Sequence, residues 1–483
     1  MKYISTRGSG EVAASRAVID GIAADGGLYV PVEFTKLDYK ELFGLEYAAR
    51  CDRVLRAFFD FDIDGIAESA YGTFETDDPA PAVKLDDKLF VLELWHGRTH
   101  AFKDMALSVL PHLLARAKKA EGIDAKTLVL VATSGDTGKA ALEGFKDVDG
   151  TEVCVFYPTD GVSRVQKLAM QTQDGNNVNA VGISGNFDDA QTAVKTAFND
   201  VELGQKLKAA GYELSSANSI NIGRLVPQIA YYFSAYCDLV DCGEIKAGEK
   251  IDFVVPTGNF GNILAGYYAL KMGLPINKLV CASNKNNVLT DFLSSGIYDV
   301  NREFYKTTSP SMDILVSSNL ERLIFELSGR NAALTKERMD ELKSTGRYQI
   351  TAEEHEKIKE TFACGYADEE QTDCAIEEMF DEYGYLIDTH TAAAYSVAEE
   401  RGFNRPTVIV STANPYKFAP AVLNALGERA DGEANAKMLE ELCDLTAMDI
   451  PDSLLEVFKK KIRFDEVVDK NDIIKYITSR YGA

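Results

Sequence analysis

The sequence predicts an open α/β fold, a mostly parallel sheet covered by helices on both faces. Three observations carry that prediction. Six short runs rich in Val and Ile, at residues 127–133, 152–157, 177–183, 251–257, 278–282 and 407–412, are nearly continuous in apolar character, as strands buried on both faces require. Helix-length segments such as 105–120 and 187–210 separate them, so strand and helix alternate. With 483 residues, 46% hydrophobic and 26% charged, the chain is long enough for about two to four domains and has the composition of an ordinary globular protein.

In chain order, residues 1–82 mix short apolar stretches with an acidic segment and close on Asp77-Asp78-Pro79-Ala80-Pro81, a boundary signal. In the predicted helix 105–120, Met105, Val109, Leu113 and Ala117 recur at i, i+4 spacing, and Pro111 is placed to kink it. A second helix, 263–272, follows the strand 251–257. Residues 335–382 read as acidic helices with a solvated face that carries Glu353, Glu354 and Lys357. The last 50 or so residues read as a helical appendix, with Lys459, Lys460 and Lys461 solvated. There is no internal repeat and no low-complexity tract.

Charge and cysteine usage narrow the function. The 51 Lys and Arg against 75 Asp and Glu give a net charge of −24, which repels nucleic-acid backbones and anionic membranes. Any anionic ligand then needs a local pocket of donors. Eight cysteines, without a Cys-x-x-Cys pair, read as reduced and mostly buried thiols. The start Met1-Lys2-Tyr3-Ile4-Ser5-Thr6-Arg7 lacks an apolar signal core, and no run of about 18 apolar residues occurs, so a cytoplasmic location is expected.

Five stretches could carry chemistry. Val131-Ala132-Thr133-Ser134-Gly135-Asp136-Thr137-Gly138-Lys139 lies where a strand opens into a helix. It lacks the first Gly and the final Ser/Thr of a P-loop and the Gly-x-Gly-x-x-Gly of a dinucleotide fold. What remains is a hydroxyl-rich turn with free N–H groups, an anion loop or an ordinary tight βα connection. Val255-Pro256-Thr257-Gly258-Asn259-Phe260-Gly261-Asn262 again joins a buried strand to a helix. Its two glycines allow close backbone approach to a phosphate, with a turn glycine and an N-cap asparagine as the alternative. Open α/β sheets bind ligands at the carboxyl ends of their strands, so two such loops reinforce each other.

The third stretch is Leu94-Trp95-His96-Gly97-Arg98-Thr99-His100-Ala101-Phe102-Lys103-Asp104. A desolvated Lys103 would have a lowered pKa and could form a Schiff base, although taken alone an ordinary surface lysine is the better reading. His96 and His100 lack the glutamate of His-Glu-x-x-His and a third ligand, so structural histidines are expected and no metal site. Ser411-Thr412-Ala413-Asn414-Pro415-Tyr416-Lys417-Phe418 ends a strand, with hydroxyls suited to capping or to a ligand. Ser216-Ala217-Asn218-Ser219-Ile220-Asn221-Ile222-Gly223-Arg224 groups polar donors with one arginine ahead of a Tyr-rich helix, an oxyanion site if folding brings it to the other loops.

In this order the stretches closely resemble the threonine synthase family, pyridoxal-phosphate enzymes of the tryptophan-synthase-β fold type (fold type II). The likeness runs end to end and includes residues 2–8, Asp25-Gly26-Gly27-Leu28-Tyr29-Val30-Pro31, Ser309-Pro310-Ser311-Met312-Asp313-Ile314 and Ile387-Asp388-Thr389-His390-Thr391-Ala392. It is the longer, yeast-like and enterobacterial-like form. The resemblance implies two open, mostly parallel sheets with an N-terminal α/β-type domain at 1–82. A smaller cofactor-fold domain at 83–238 would carry the Schiff-base lysine, a larger one at 239–430 the phosphate loop, and 431–483 would form a helical extension.

It also implies a function, the conversion of O-phospho-L-homoserine and water to L-threonine and phosphate with pyridoxal 5'-phosphate as cofactor. Lys103 would hold the cofactor, Gly258, Asn259, Phe260, Gly261 and Asn262 would cradle its phosphate, Thr412 would face the pyridine nitrogen, and Asp136 would lie near the phenolic oxygen. Ser134, Thr137, Asn218, Ser219 and Arg224 would form the substrate's carboxylate and phosphate pockets. The expected partners are the small-molecule substrate and, at most, further copies of the chain, which would be a monomer or small homo-oligomer. Two positions depart from the family pattern: Gly97-Arg98-Thr99 replaces Gly-Pro-Thr, and Ala413-Asn414-Pro415 replaces Ala-His-Pro. The rival readings are a phospholyase that releases 2-oxobutyrate from the same substrate, a serine or threonine dehydratase, and a non-catalytic acidic binding protein on the same fold.

Overall fold

The computed structural model describes residues 1–133, 135–159, 162–185 and 187–482. Two parallel sheets dominate it. The six-stranded sheet runs Phe362–Tyr366, Ile276–Ser283, Ile251–Pro256, Thr407–Ser411, Leu89–Glu93 and Ala82–Lys84, with only the last pair antiparallel. The five-stranded sheet is parallel throughout, in the order Val467–Asp469, Val178–Ser184, Thr151–Pro158, Lys126–Ala132 and Tyr212–Ser215. All six predicted strands are present to within two residues at either end. Their central residues are buried on both sides, which is why their apolar runs show no alternation.

The smaller elements depart from expectation in instructive ways. The expected helix 105–120 is two helices, Asp104–Leu107 and Leu110–Glu121, with Pro111 in the first turn of the second, where its missing N–H breaks no bond. The expected helix 187–210 is likewise two, Phe187–Asn199 and Val201–Ala209, because the Asp200 carboxylate accepts from Leu203 N at 2.9 Å and caps a new start. Residues 83–238 do not share one sheet. All five residues of Leu89–Glu93 are buried, and the strand finds partners on both edges only in the six-stranded sheet, between Thr407–Ser411 and Ala82–Lys84. The C-terminal appendix is not wholly helical: Val467–Asp469 extends the five-stranded sheet, and Ile473 and Ile477 of the last helix join its core.

Within the acidic region, Glu354 leaves the solvated face expected of it. It is 4% exposed and forms a two-point ion pair with Arg338 at 2.8 and 2.6 Å, while Glu353 and Lys357 stay outside. Thr351 and Glu354 also form a reciprocal cap at the start of Ala352–Thr361. Lys459, Lys460 and Lys461 are exposed, as expected. At the N-terminus, Lys2–Ser5 pairs antiparallel with Val12–Ala13 and Tyr29–Pro31. Arg7 ties this small sheet to helix Leu320–Leu327 through Glu321, at 2.8 and 2.7 Å. Among the described residues no helix is long and apolar enough to cross a membrane.

Candidate active site

Lys103 opens the short helix Asp104–Leu107 at the end of a connection that leaves the sheet at Glu93. That connection is pinned to the neighbouring strand end: Phe102 N donates to Thr412 O at 2.8 Å, and Asn414 N donates to His100 O at 3.1 Å. Lys103 is 8% exposed. Its Nζ donates to Ser311 Oγ at 3.2 Å and lies 3.7 Å from Asp136 Oδ2 and 5.0 Å from the centre of the Phe102 ring. Burial lowers its pKa to about 8; Asp136 and Asp104 oppose that shift, and Lys417 and Arg224 add to it. A lysine so placed is still mainly an ammonium group at pH 7 but supplies roughly a tenth of its population as the neutral amine, far more than an ordinary lysine does.

Asp136 begins helix Asp136–Gly144 at the end of strand Lys126–Ala132. Burial would raise its pKa, but Lys417, Lys103 and Gln166 together hold it well below the usual carboxylate range. Lys417 Nζ lies 2.8 Å from Oδ1, and Gln166 Nε2 donates to the same oxygen at 2.8 Å. Lys417 also donates to Thr99 O at 2.8 Å. An ionised Asp136 only accepts hydrogen bonds, so it offers a phenolic oxygen no donor. In this structure it aligns two ammonium groups. Asp104 is a different carboxyl: burial, outweighing two hydrogen bonds from Thr99 at 2.8 and 2.6 Å, raises its pKa to about 6.

The glycine loop sits on the other side of Ser311. A Cβ at Gly258 would collide with the Ser311 carbonyl oxygen, so only glycine lets the two backbones touch. Phe260 adopts φ 61°, a left-handed conformation unusual for a buried aromatic residue, and directs the chain into helix Gly261–Met272. Asn262, 6% exposed, accepts from Tyr231 OH at 2.6 Å and Tyr232 OH at 2.8 Å, while its Nδ2 has no partner among the described residues. Ser219 reaches this loop, with its Cβ 3.7 Å from where a Cβ on Gly261 would stand. The polar stretch at 216–224 therefore joins the other loops.

These features fit the phosphate and ring of the cofactor expected from the sequence. The loop presents the N-terminus of a twelve-residue helix, a glycine at 258 held against the Ser311 carbonyl oxygen, and a buried donor, Asn262 Nδ2, without a partner among the described residues. Thr412, 5% exposed at the end of strand Thr407–Ser411, carries a hydroxyl without a hydrogen-bond partner among the described residues. Arg224 is buried, donates to Ala217 O at 2.8 Å, and has no carboxylate partner among the described residues; burial lowers its pKa to about 10. Thr137 is half-buried on the first turn of its helix, and Asn218 is half-buried beside Ser219. Ser134 lies outside the described residues.

Lys417, Gln166 and Ser311 were missed as site residues, although Lys417 and Ser311 stand inside quoted stretches. Nothing local marks them; their roles come from contacts such as Lys417–Thr99, 318 positions apart. The structure shows where the two departures from the family pattern point. Arg98 points to the rim, donating to Thr73 O at 3.1 Å with Glu143 at 3.4 Å. Asn414 caps the 3-10 turn Pro415–Phe418 by accepting from Tyr416 N at 3.0 Å. A cavity of about 430 Å³ opens beyond the Asp136–Lys417 pair, walled by His100, Gln166 and Asn414 and by Ser453 of the C-terminal segment; Lys103 is not part of its wall.

Comparison with known proteins finds family models and relatives along nearly the whole chain. Residues 77–413 match the family described as pyridoxal-phosphate dependent enzyme, residues 2–71 the threonine synthase N terminus, and residues 391–477 the threonine synthase C-terminal family. Threonine synthase of Pseudomonas aeruginosa is 40% identical over 438 residues, covering 88% of this chain and 90% of that protein. Human threonine synthase-like 1 is 40% identical over 479 residues, 95% of this chain, which spans only 64% of that longer relative. The crystal structure of threonine synthase from Brucella melitensis with the cofactor bound superposes with a TM-score of 0.88 at 38% identity, covering 100% of both chains.

Proposed function

The chain belongs to the pyridoxal-phosphate-dependent threonine synthase family, and on that premise we propose that it converts O-phospho-L-homoserine and water to L-threonine and phosphate. The cofactor is pyridoxal 5'-phosphate. When bound, it supplies the electron sink that lets a proton leave Cα of an amino acid. The carrying observation is the buried Lys103 amine, with its pKa at about 8, fixed between Asp136 and Ser311 beside a glycine loop with an orphaned donor.

The residues divide the work by chemistry. Lys103 would hold the cofactor, and its amine would take the proton from Cα and move protons at Cβ. Backbone N–H groups of Gly258, Asn259, Phe260 and Gly261, with Asn262 Nδ2, bind the cofactor phosphate. The Thr412 hydroxyl bonds the ring nitrogen; a hydroxyl does not protonate it as a carboxylic acid would. Asp136 keeps the Lys103 and Lys417 ammonium groups in line. Arg224, with Thr137, Asn218, Ser219 and Ser134, binds the substrate's carboxylate and phosphate through charge-assisted hydrogen bonds. Three cations, Lys103, Lys417 and Arg224, face two carboxyl groups, Asp136 and Asp104, so the pocket is locally positive.

The test is to load the purified chain with cofactor, reduce with borohydride, and map the modified peptide. The expected adduct lies on Lys103, and Lys103→Ala abolishes both adduct and threonine formation. An adduct elsewhere, or full turnover by Lys103→Ala, would overturn the reading. Release of 2-oxobutyrate in place of threonine would assign the site to a phospholyase.

A further inference from the structure

Two sequence stretches that this chemistry leaves unused, 309–314 and 387–392, meet each other beside Lys103. Their meeting point is Ser311. Its Oγ accepts from Lys103 Nζ at 3.2 Å, its backbone N–H donates to His390 Nε2 at 3.2 Å, and its carbonyl oxygen packs on Gly258. One residue thus touches the amine, the glycine loop and a buried histidine.

Both sides of Ser311 are braced. A backbone N–H can only donate, so His390 Nε2 is the acceptor, and the Nδ1 proton points to Asp388 Oδ1 at 2.8 Å. Asp388 is fully buried and also accepts from His390 N at 2.9 Å, Thr391 N at 3.3 Å and the Thr391 hydroxyl. The Phe418 ring closes on the imidazole edge-on at 4.9 Å. On the other side, Asp313 Oδ1 accepts from Asn284 at 2.8 Å, Asn286 at 2.9 Å and the Thr307 hydroxyl at 2.7 Å. Such a turn has little freedom to move its serine.

We infer that Ser311 is a catalytic residue of this site and that Asp388 and His390 position it: the hydroxyl takes one N–H of Lys103 and so aims the amine's lone pair. A neutral amine has two N–H bonds and one lone pair. With Ser311 Oγ at 3.2 Å accepting one N–H and the Asp136 carboxylate at 3.7 Å drawing the other without a hydrogen bond, the lone pair is turned away from both. Without the hydroxyl the amine would turn toward Asp136 and lose that aim. The inference rests on the reading of Lys103 as the lysine that holds the cofactor.

The test uses the full chain, with and without cofactor, as wild type, Ser311→Ala, His390→Ala, His390→Gln and the Ser311→Ala/His390→Ala double variant. Three quantities are read: the rate of pyridoxal-phosphate attachment, kcat and KM, and the pH midpoint of Lys103 acylation in the cofactor-free chain. That midpoint also senses Asp136, Lys417, Arg224 and Asp104, which face Lys103 and stay unchanged in every variant. Ser311→Ala is expected to slow attachment and lower kcat by about ten-fold to a hundred-fold, with KM within about three-fold. The acylation midpoint should fall, because the hydroxyl accepts a bond that favours the ammonium form.

His390→Ala should move every readout in the same direction but less, and the double variant should be no worse than Ser311→Ala by more than about two-fold. His390→Gln keeps an acceptor for the Ser311 N–H and should recover most of the loss. An unchanged attachment rate and midpoint in Ser311→Ala would overturn the inference, as would single effects that multiply in the double variant. If His390→Ala does not fold by circular dichroism, Ser311→Ala and His390→Gln decide the matter by the same criteria. A wild-type chain that gives no borohydride adduct on Lys103 would instead defeat the underlying reading of function.

Discussion

At the scale of single residues, the site is governed by what burial does to charge. Burial alone pulls Lys103 toward neutrality and would push Asp136 toward protonation, yet the pair ends with Asp136 firmly ionised and Lys103 at about 8. Lys417 explains the asymmetry, since it stabilises the Asp136 carboxylate and repels a second ammonium. The neutral amine is the attacking form, so attachment of pyridoxal phosphate to the cofactor-free chain should rise about tenfold per pH unit from 6 to 7 and level off above roughly pH 8. Stopped-flow absorbance would follow it, and a rate still climbing at pH 10 would contradict a lowered Lys103. The stability linkage has the matching sign: the folded pKa lies below the ordinary lysine value of 10.5, so the cost of the buried ammonium is full below about pH 8 and is relieved as pH rises from there to 10.5. Lys103 is marked in the sequence only by the aromatic and small residues before it, by the helix that follows and by the family pattern. Lys417 and Gln166 left no local trace, because their meaning lies in contacts across hundreds of residues.

At the scale of elements, strands were legible and helix ends were not. A strand buried on both faces writes its position as an uninterrupted apolar run, as in Lys126–Ala132 and Ile251–Pro256. A helix break such as Asp200 depends on one side chain turning back onto its own backbone, which an apolar pattern does not record. Glu354 shows the same limit: its acidic surroundings describe an exposed face, and only tertiary contact with Arg338 buries it. Glu354→Ala should therefore cost about 3 kcal/mol, by leaving Arg338 buried and unpaired, against less than about 0.5 kcal/mol for Glu353→Ala; urea denaturation would separate them. The glycine loop gives a second prediction. Gly258→Ala drives a methyl into the Ser311 carbonyl, so it should destabilise by ~1–3 kcal/mol and weaken cofactor binding at least about ten-fold, as read by thermal melts and spectroscopic titration.

At the scale of the whole molecule, a chain of net charge −24 takes an anionic cofactor and, on the proposed function, an anionic substrate. The local excess of cations around Lys103 resolves that conflict at short range, but an approaching phosphate first meets the negative exterior. The association rate of pyridoxal phosphate should consequently rise about two-fold to five-fold as salt goes from roughly 20 to 200 mM, and a fall would mean that the pocket field governs capture. The fold class was legible at this scale from strand and helix alternation. The sheet membership of Leu89–Glu93 and Val467–Asp469 was not, because pairing partners far apart in sequence decide it. The central claim, that these loops assemble to replace a γ-phosphate by a β-hydroxyl, is tested most directly by turnover of O-phospho-L-homoserine in ¹⁸O-labelled water. The account predicts threonine carrying one ¹⁸O in its hydroxyl and unlabelled phosphate in equal amount. Labelled phosphate with homoserine, or 2-oxobutyrate as the carbon product, would contradict it.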